Sequence, residues 1–217
     1  MNKFVEIPAT NRSLSKRKPI YGVGINDADY IVQPVIDGKR FRCPYYLVWK
    51  SMLKRCYCPK FQKRQPSYIG CSVAKEWLTF SNFRSWMKTQ YWEGRQLDKD
   101  ILIAGNKIYG PNACLFVSGA INMLLNDQSG ERGEYPRGVC FDRHAGKYKA
   151  NCMINGKKKH LGLFVTVPEA EKAYLTFKSY LIKKVAFDKE SVINPKLQEA
   201  LLTHSDIFKR KGDDVGA

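Results

Sequence analysis

No stretch of this 217-residue chain approaches the ~18 consecutive apolar residues of a bilayer-crossing helix, and no basic amphipathic anchor stands out. The amino-terminal run MNKFVEIPATNRSLSKRK lacks the apolar centre of a secretory signal. Residence in the cytoplasm is therefore expected, with no membrane partner. Seven cysteines is an odd number, which without an export signal favours reduced thiols over a disulfide framework. Histidine is scarce, at three residues, so few ready general bases are present. Internal repeats and long low-complexity tracts are lacking as well. Acidic residues are the most telling deficit, because 20 Asp and Glu stand against 37 Lys and Arg and leave a net charge of +17. Such a field seeks a polyanion, nucleic acid before any other, rather than a small-molecule substrate. A hydrophobic content of 44% with 12% aromatics is ample for a packed core.

Residues 1–20 are basic and polar and read as a loosely held arm. From Tyr21 to Ile36, Gly, Asp and Pro mix with β-branched residues, as short strands around a turn would. Between Pro44 and Cys58 the residues Tyr46, Trp49, Met52, Leu53 and Cys56 fall at helical spacing, with Lys50, Lys54 and Arg55 as a basic outer face. Phe83, Trp86 and Met87 form the stripe of a second helix over 81–91, with Ser81 as its cap. Next, AGNKIYGPN is dense in turn formers between apolar runs and predicts a β-hairpin or looped strand pair, followed by a short helix at INMLLND. The polar stretch 127–134 reads as a linker.

Beyond it the pattern sharpens. In KYKANCMI, Tyr148, Ala150, Cys152 and Ile154 alternate with Lys147, Lys149, Asn151 and Met153, so one strand face is core and the other cationic. Flanking strands at RGVCFD and KKKHLGLF, with a tight turn at Asn155-Gly156, complete a three-stranded antiparallel sheet. Thr166 and Glu169 then form a capping box, and Ala170, Ala173, Tyr174, Phe177 and Leu181 give a helix stripe able to cover it. Residues 188–217 form a tail with helical character.

On Tyr135, Arg137-Gly138-Val139, Gly146-Lys147-Tyr148, Leu161-Gly162, Phe164, Glu169-Ala170 and Ala173-Tyr174, residues 135–187 resemble the APETALA2/ethylene-response-factor DNA-binding domain, which also occurs in phage homing endonucleases. The resemblance implies a sheet that enters the major groove and presents Arg137, Cys140, Lys147, Asn151, Met153, Lys158 and His160, with Arg143 and Lys149 as cationic neighbours. Lys147 and Lys158 suit phosphate or guanine, and Asn151 has the paired donor and acceptor that read adenine. Cys140 and Met153 stand where the plant proteins place arginine, so the preferred sequence should differ from theirs.

Within a module over residues 21–126, the stretch from Tyr45 to Asn126 is similar to phage HNH-like proteins, on Trp49-x-x-Met52-x-x-Arg55-Cys56-Tyr57, Tyr68, Val73, Glu76-Trp77, Phe80-x-x-Phe83, Leu97-Asp98-Lys99-Asp100, Gly105-Asn106, Tyr109-x-Pro111-Asn112-x-Cys114 and Asn122. This resemblance implies a ββα finger with Mg²⁺ at Asp98, Asn122 or Asn126 as distal ligand, and Asn112 as orienting residue. The general-base position falls on Lys99, which is protonated at neutral pH; Asp100 is the available substitute, as second ligand or weak base. Zinc is disfavoured, since Cys43, Cys56, Cys58 and Cys71 have no standard spacing. Asp98, Asp100, Asn106 and Asn112 also suit plain turn formation.

The expected protein is thus α+β, with an HNH-like module and a three-stranded sheet on one helix. Double-stranded DNA is the expected partner, because the major groove of RNA is too narrow for such a sheet. Binding would be sequence-specific and, with the base missing, would act by site occupancy as a repressor does. The alternative is an active Mg²⁺-dependent HNH endonuclease. A homodimer through residues 188–208 is a further option.

Overall fold

The computed structural model describes residues 4–125, 134–154 and 156–215 of a mixed α+β chain that divides into two units, up to Val117 and from Ser118. Among the described residues no helix is long and apolar enough to cross a membrane.

The first unit contains α1 (Asn11–Ser15), β1 (Val35–Ile36), β2 (Lys39–Arg40), α2 (Pro44–Tyr57), α3 (Pro59–Arg64), β3 (Ser72–Val73), α4 (Phe80–Lys88), β4 (Gln96–Asp98), β5 (Ile108–Tyr109) and β6 (Leu115–Val117). Proline in the first turn of α2 loses no helical hydrogen bond there, and Tyr46, Trp49, Met52, Leu53 and Cys56 are buried, as the spacing predicts. Trp49 donates its indole N–H to the Trp77 carbonyl at 2.7 Å, while Trp77 meets Phe83 edge-on at 5.0 Å. The tryptophans therefore build core. β1 pairs antiparallel with β2, β3 parallel with β5, and β4 antiparallel with β6, so the turn-rich segment 104–112 does lie between paired strands, with β5 turned to β3.

Two expectations differ in this unit. The segment from Phe4 to residue 20 is pinned: the Ala9 amide donates to Asp29, the Ile31 amide to Ile7, and the Arg17 guanidinium to the carbonyls of Asn26, Ala28 and Tyr30. Arg17 thus satisfies part-buried carbonyls, while Arg12, Lys16 and Lys18 are exposed. At α4 the helix begins one residue before Ser81, whose amide and hydroxyl both donate to the Asp27 carboxylate across 54 residues of sequence.

In the second unit, α5 (Gly119–Leu125) precedes β7 (Val139–Asp142), β8 (Lys147–Ile154) and β9 (Lys157–Phe164), then α6 (Val167–Ala186), α7 (Lys189–Val192) and α8 (Pro195–Asp214). The strands form an antiparallel sheet in the order β7-β8-β9. Val139 and Ala150 pack with Ala170 of α6, flanked by Tyr148, Leu161, Phe164 and Ala173. The Thr166/Glu169 capping box is present, with Pro168 in the first turn. Gly156 has φ +76° at the turn into β9; Asn155, and the linker apart from Glu134, lie outside the described residues.

The tail is helical and packs at home. Its buried Leu197, Ala200, Leu201, Ser205 and Phe208 line one side of α8, and Ser179 and Ser205 exchange hydroxyl-to-carbonyl hydrogen bonds at 2.9 and 3.1 Å between α6 and α8. This alters the predicted stripe of α6. Ala170 and Tyr174 are buried as expected, but Phe177 and Leu181 are only half-buried, because the later turns bury Leu175, Ser179, Ile182 and Ala186 on the face that carries Ser179. The buried side of α8 is thereby engaged within the chain.

Candidate nucleic-acid interface

Residues opposite one another in an antiparallel pair share a face, so the register defines the sheet surface that α6 leaves open. Asp142 lies opposite Lys147, Cys140 opposite Lys149, and Lys149 opposite Leu163; farther along, His160 faces Asn151 and Lys158 faces Met153. Cys140, Lys147, Met153, Lys158 and His160 are all exposed on this outer face. Arg143 is exposed in the turn between β7 and β8, where the Asp142 carboxylate accepts the amides of His144 and Ala145 at 3.1 Å. The sheet thus brings most of the expected residues onto one surface, with cations at its turns and, in its middle, uncharged side chains beside Lys149.

Three of the expected contact residues behave differently. Asn151 lies on this face but is only 8% exposed, with its amide N–H directed at Cys140 Sγ at 3.9 Å. A side chain so enclosed does not present its amide freely to an adenine edge. Arg137 is exposed but lies off this face, lining a cleft with Glu171, Tyr174 and Phe208 on the helical side. Lys149 is ion-paired to Asp142 at 2.5 Å; that hydrogen bond holds Asp142 below the ordinary carboxylate range and raises Lys149.

Leu163 is a member of the face that sequence reasoning missed. A register shift at Ala150/Asn151 takes the pairing from Gly162 to His160, so Leu161 joins the core and Leu163 turns outward, 43% exposed. Glycine inside a strand is the available signal, since it often marks such a bulge. Gly162 has φ +151°, and a Cβ there would lie 2.9 Å from the Phe164 ring.

In the first unit, the basic face of α2 is only partly free. Lys50 and Lys54 are half-buried, with the Lys54 ammonium over the Phe61 ring at 5.3 Å. Arg55 is drawn inward, donating to the Leu97 carbonyl at 3.4 Å and the Tyr109 hydroxyl at 3.3 Å. It ties α2 to β4 and β5.

The Asp98–Asp100 segment is built as a clamp. Asp98 Oδ1 accepts the amides of Asp100 at 2.8 Å and Ile101 at 2.9 Å, and burial raises the Asp98 pKa against the lowering effect of those bonds. Lys99 is 6% exposed, and its ammonium donates to Asp100 at 2.6 Å and to the Asn106 carbonyl at 2.5 Å. The Asn106 side chain closes the loop by donating to the Lys99 and Ile108 carbonyls. Asn112 is exposed in the turn before β6; Asn122 lies on α5 in the second unit, and Asn126 lies outside the described residues.

A divalent cation requires anionic oxygens free to coordinate it. Here one Asp98 oxygen is committed to two amides, its carboxylate is disfavoured by burial, and Asp100 already holds an ammonium. Among the described residues, no group of three or more His, Cys, Asp and Glu could hold a metal ion. These donors do not fit Mg²⁺. Burial also pushes the Cys56 and Cys114 thiols up to about 12, so both are protonated near neutrality.

No family model matches this chain, and no curated protein or solved structure does so either.

Proposed function

We propose that this protein binds double-stranded DNA sequence-selectively by laying the outer face of β7–β9 in the major groove, and that it acts by occupying its site, as a repressor does. The observation that carries this reading is the two-sidedness of the sheet: one face is packed on α6, while the other stays open with Lys147, Lys158, Arg143 and His160 around uncharged side chains and Lys149. A β-ribbon fits the ~12 Å major groove, where cations at its rim neutralise phosphates and central side chains touch base edges. The net charge of +17 supplies the long-range attraction.

The antiparallel pairing of β4 with β6 suits the two strands of a ββα finger, which favours descent from an HNH nuclease. The Lys99–Asp100 ion pair favours loss of cleavage, because an ammonium held by a carboxylate cannot accept a proton from water.

The test selects duplexes from a random pool with the full chain, then measures affinity for the winner, a scrambled duplex and a duplex RNA across a salt series. Preference for the winner is expected, with affinity falling by about 0.9 power of salt per phosphate neutralised. Equal binding of all three would overturn the reading. Plasmid carrying the site should remain intact with Mg²⁺ or Mn²⁺; nicking would instead establish the endonuclease alternative.

A further inference from the structure

The middle of the outer face is more apolar than a generic DNA-binding surface requires. Met153 is 57% exposed and Leu163 is 43% exposed, and both belong to the face that carries Lys147, Lys158 and His160. Neither is needed by the core on the far side, which is built from Val139, Ala150, Ala170 and their neighbours. Asn151, the amide suited to adenine, is sunk between them. The polar base reader is therefore withdrawn while two apolar side chains project.

In the major groove a single base feature matches an exposed apolar side chain, the 5-methyl group of thymine. Resting on the DNA-binding reading above, we infer that Met153 and Leu163 are specificity-determining residues, each reading a thymine by burying its methyl group. Leu163 pairs with Lys149, four residues from Met153 along β8, so at ~3.3 Å per residue the two side chains stand roughly 13 Å apart and reach different base pairs. Lys158, opposite Met153, gives that contact a neighbouring cation that suits the phosphate backbone, whereas Lys149, opposite Leu163, is held by Asp142. The exposed thiol of Cys140 extends the uncharged strip across from Lys149.

Deoxyuridine in place of thymidine deletes the methyl group and leaves base pairing intact. Duplexes selected by the full chain should carry thymine at two separated positions, and single deoxyuridine replacement at each should weaken binding about fourfold, the effect of one buried methylene-sized group. Met153→Ala should abolish the methyl effect at one position only, and Leu163→Ala at the other. Both side chains are exposed, so neither variant opens a core cavity. Selective binding that is indifferent to every deoxyuridine replacement, or methyl effects that persist in both variants, would overturn this inference and leave the DNA-binding reading standing. Failure to select any sequence would remove both.

Discussion

Asp142 and Lys149 meet diagonally across β7 and β8, carboxylate to ammonium at 2.5 Å, so one cation of the outer face is neutralised within the chain itself. The pair imposes a competition: a phosphate approaching Lys149 must displace Asp142 or be repelled by it.

Asp142→Asn removes that competition and keeps an oxygen for the amides of His144 and Ala145. Duplex affinity at low salt should rise several-fold, and the slope of log affinity against log salt should steepen by about one. The folded Asp142 pKa is depressed, so the pair contributes above the unfolded value near ~3.9 and is lost only as pH falls through the lower folded value. The gain should therefore be complete at neutral pH. An unchanged salt slope would mean that Lys149 meets no phosphate.

Asp98→Asn tests whether the Asp98 carboxylate is wanted for its charge. Burial raises its pKa in the folded protein, so the ionised form is penalised at pH values above that raised pKa, and the penalty disappears below the unfolded value, where both states are protonated. Asparagine retains an acceptor for the amides of Asp100 and Ile101. Thermal melts should show Asp98→Asn at least as stable as the parent at pH 7, with any advantage shrinking as pH drops toward 4. Marked destabilisation at pH 7 would show that the charge has a partner.

Lys99→Met should destabilise the first unit by about 1–3 kcal/mol, because the Asn106 carbonyl loses a charged donor in an enclosed site and the half-exposed Asp100 must turn to water. Urea denaturation measures this. No change in midpoint would mean that the clamp contributes nothing to folding.

Ser179 and Ser205 share their hydrogen bonds, so their substitutions should not add. Each alanine replacement alone should cost about 1 kcal/mol, and the double replacement less than the sum, in a denaturation cycle on the full chain. Strict additivity would show that the hydroxyls act independently.

The elements that could be read in advance are those whose pattern is local. The stripe of α2, the alternation of β8 and the Thr166/Glu169 cap repeat within a few residues, so burying or capping them has one geometric solution. Side-chain direction at the candidate sites obeys no such rule. Arg55 looks like a surface cation from its helical position, yet a carbonyl on β4 and a hydroxyl on β5 draw it inward. The stripe of α6 serves two partners, the sheet before it and α8 after it, where Ser205 lies 26 residues beyond Ser179.

Charge, composition and periodicity determined that this chain folds as α+β, carries a strong positive field and contains a three-stranded sheet with one cationic face. Tertiary structure alone decided which members of that face are free. The Asp142 ion pair, the enclosure of Asn151, the departure of Arg137 to the helical side and the outward turn of Leu163 each follow from contacts between separate strands and helices, where pairing register sets a side chain's direction and spacing along one strand cannot.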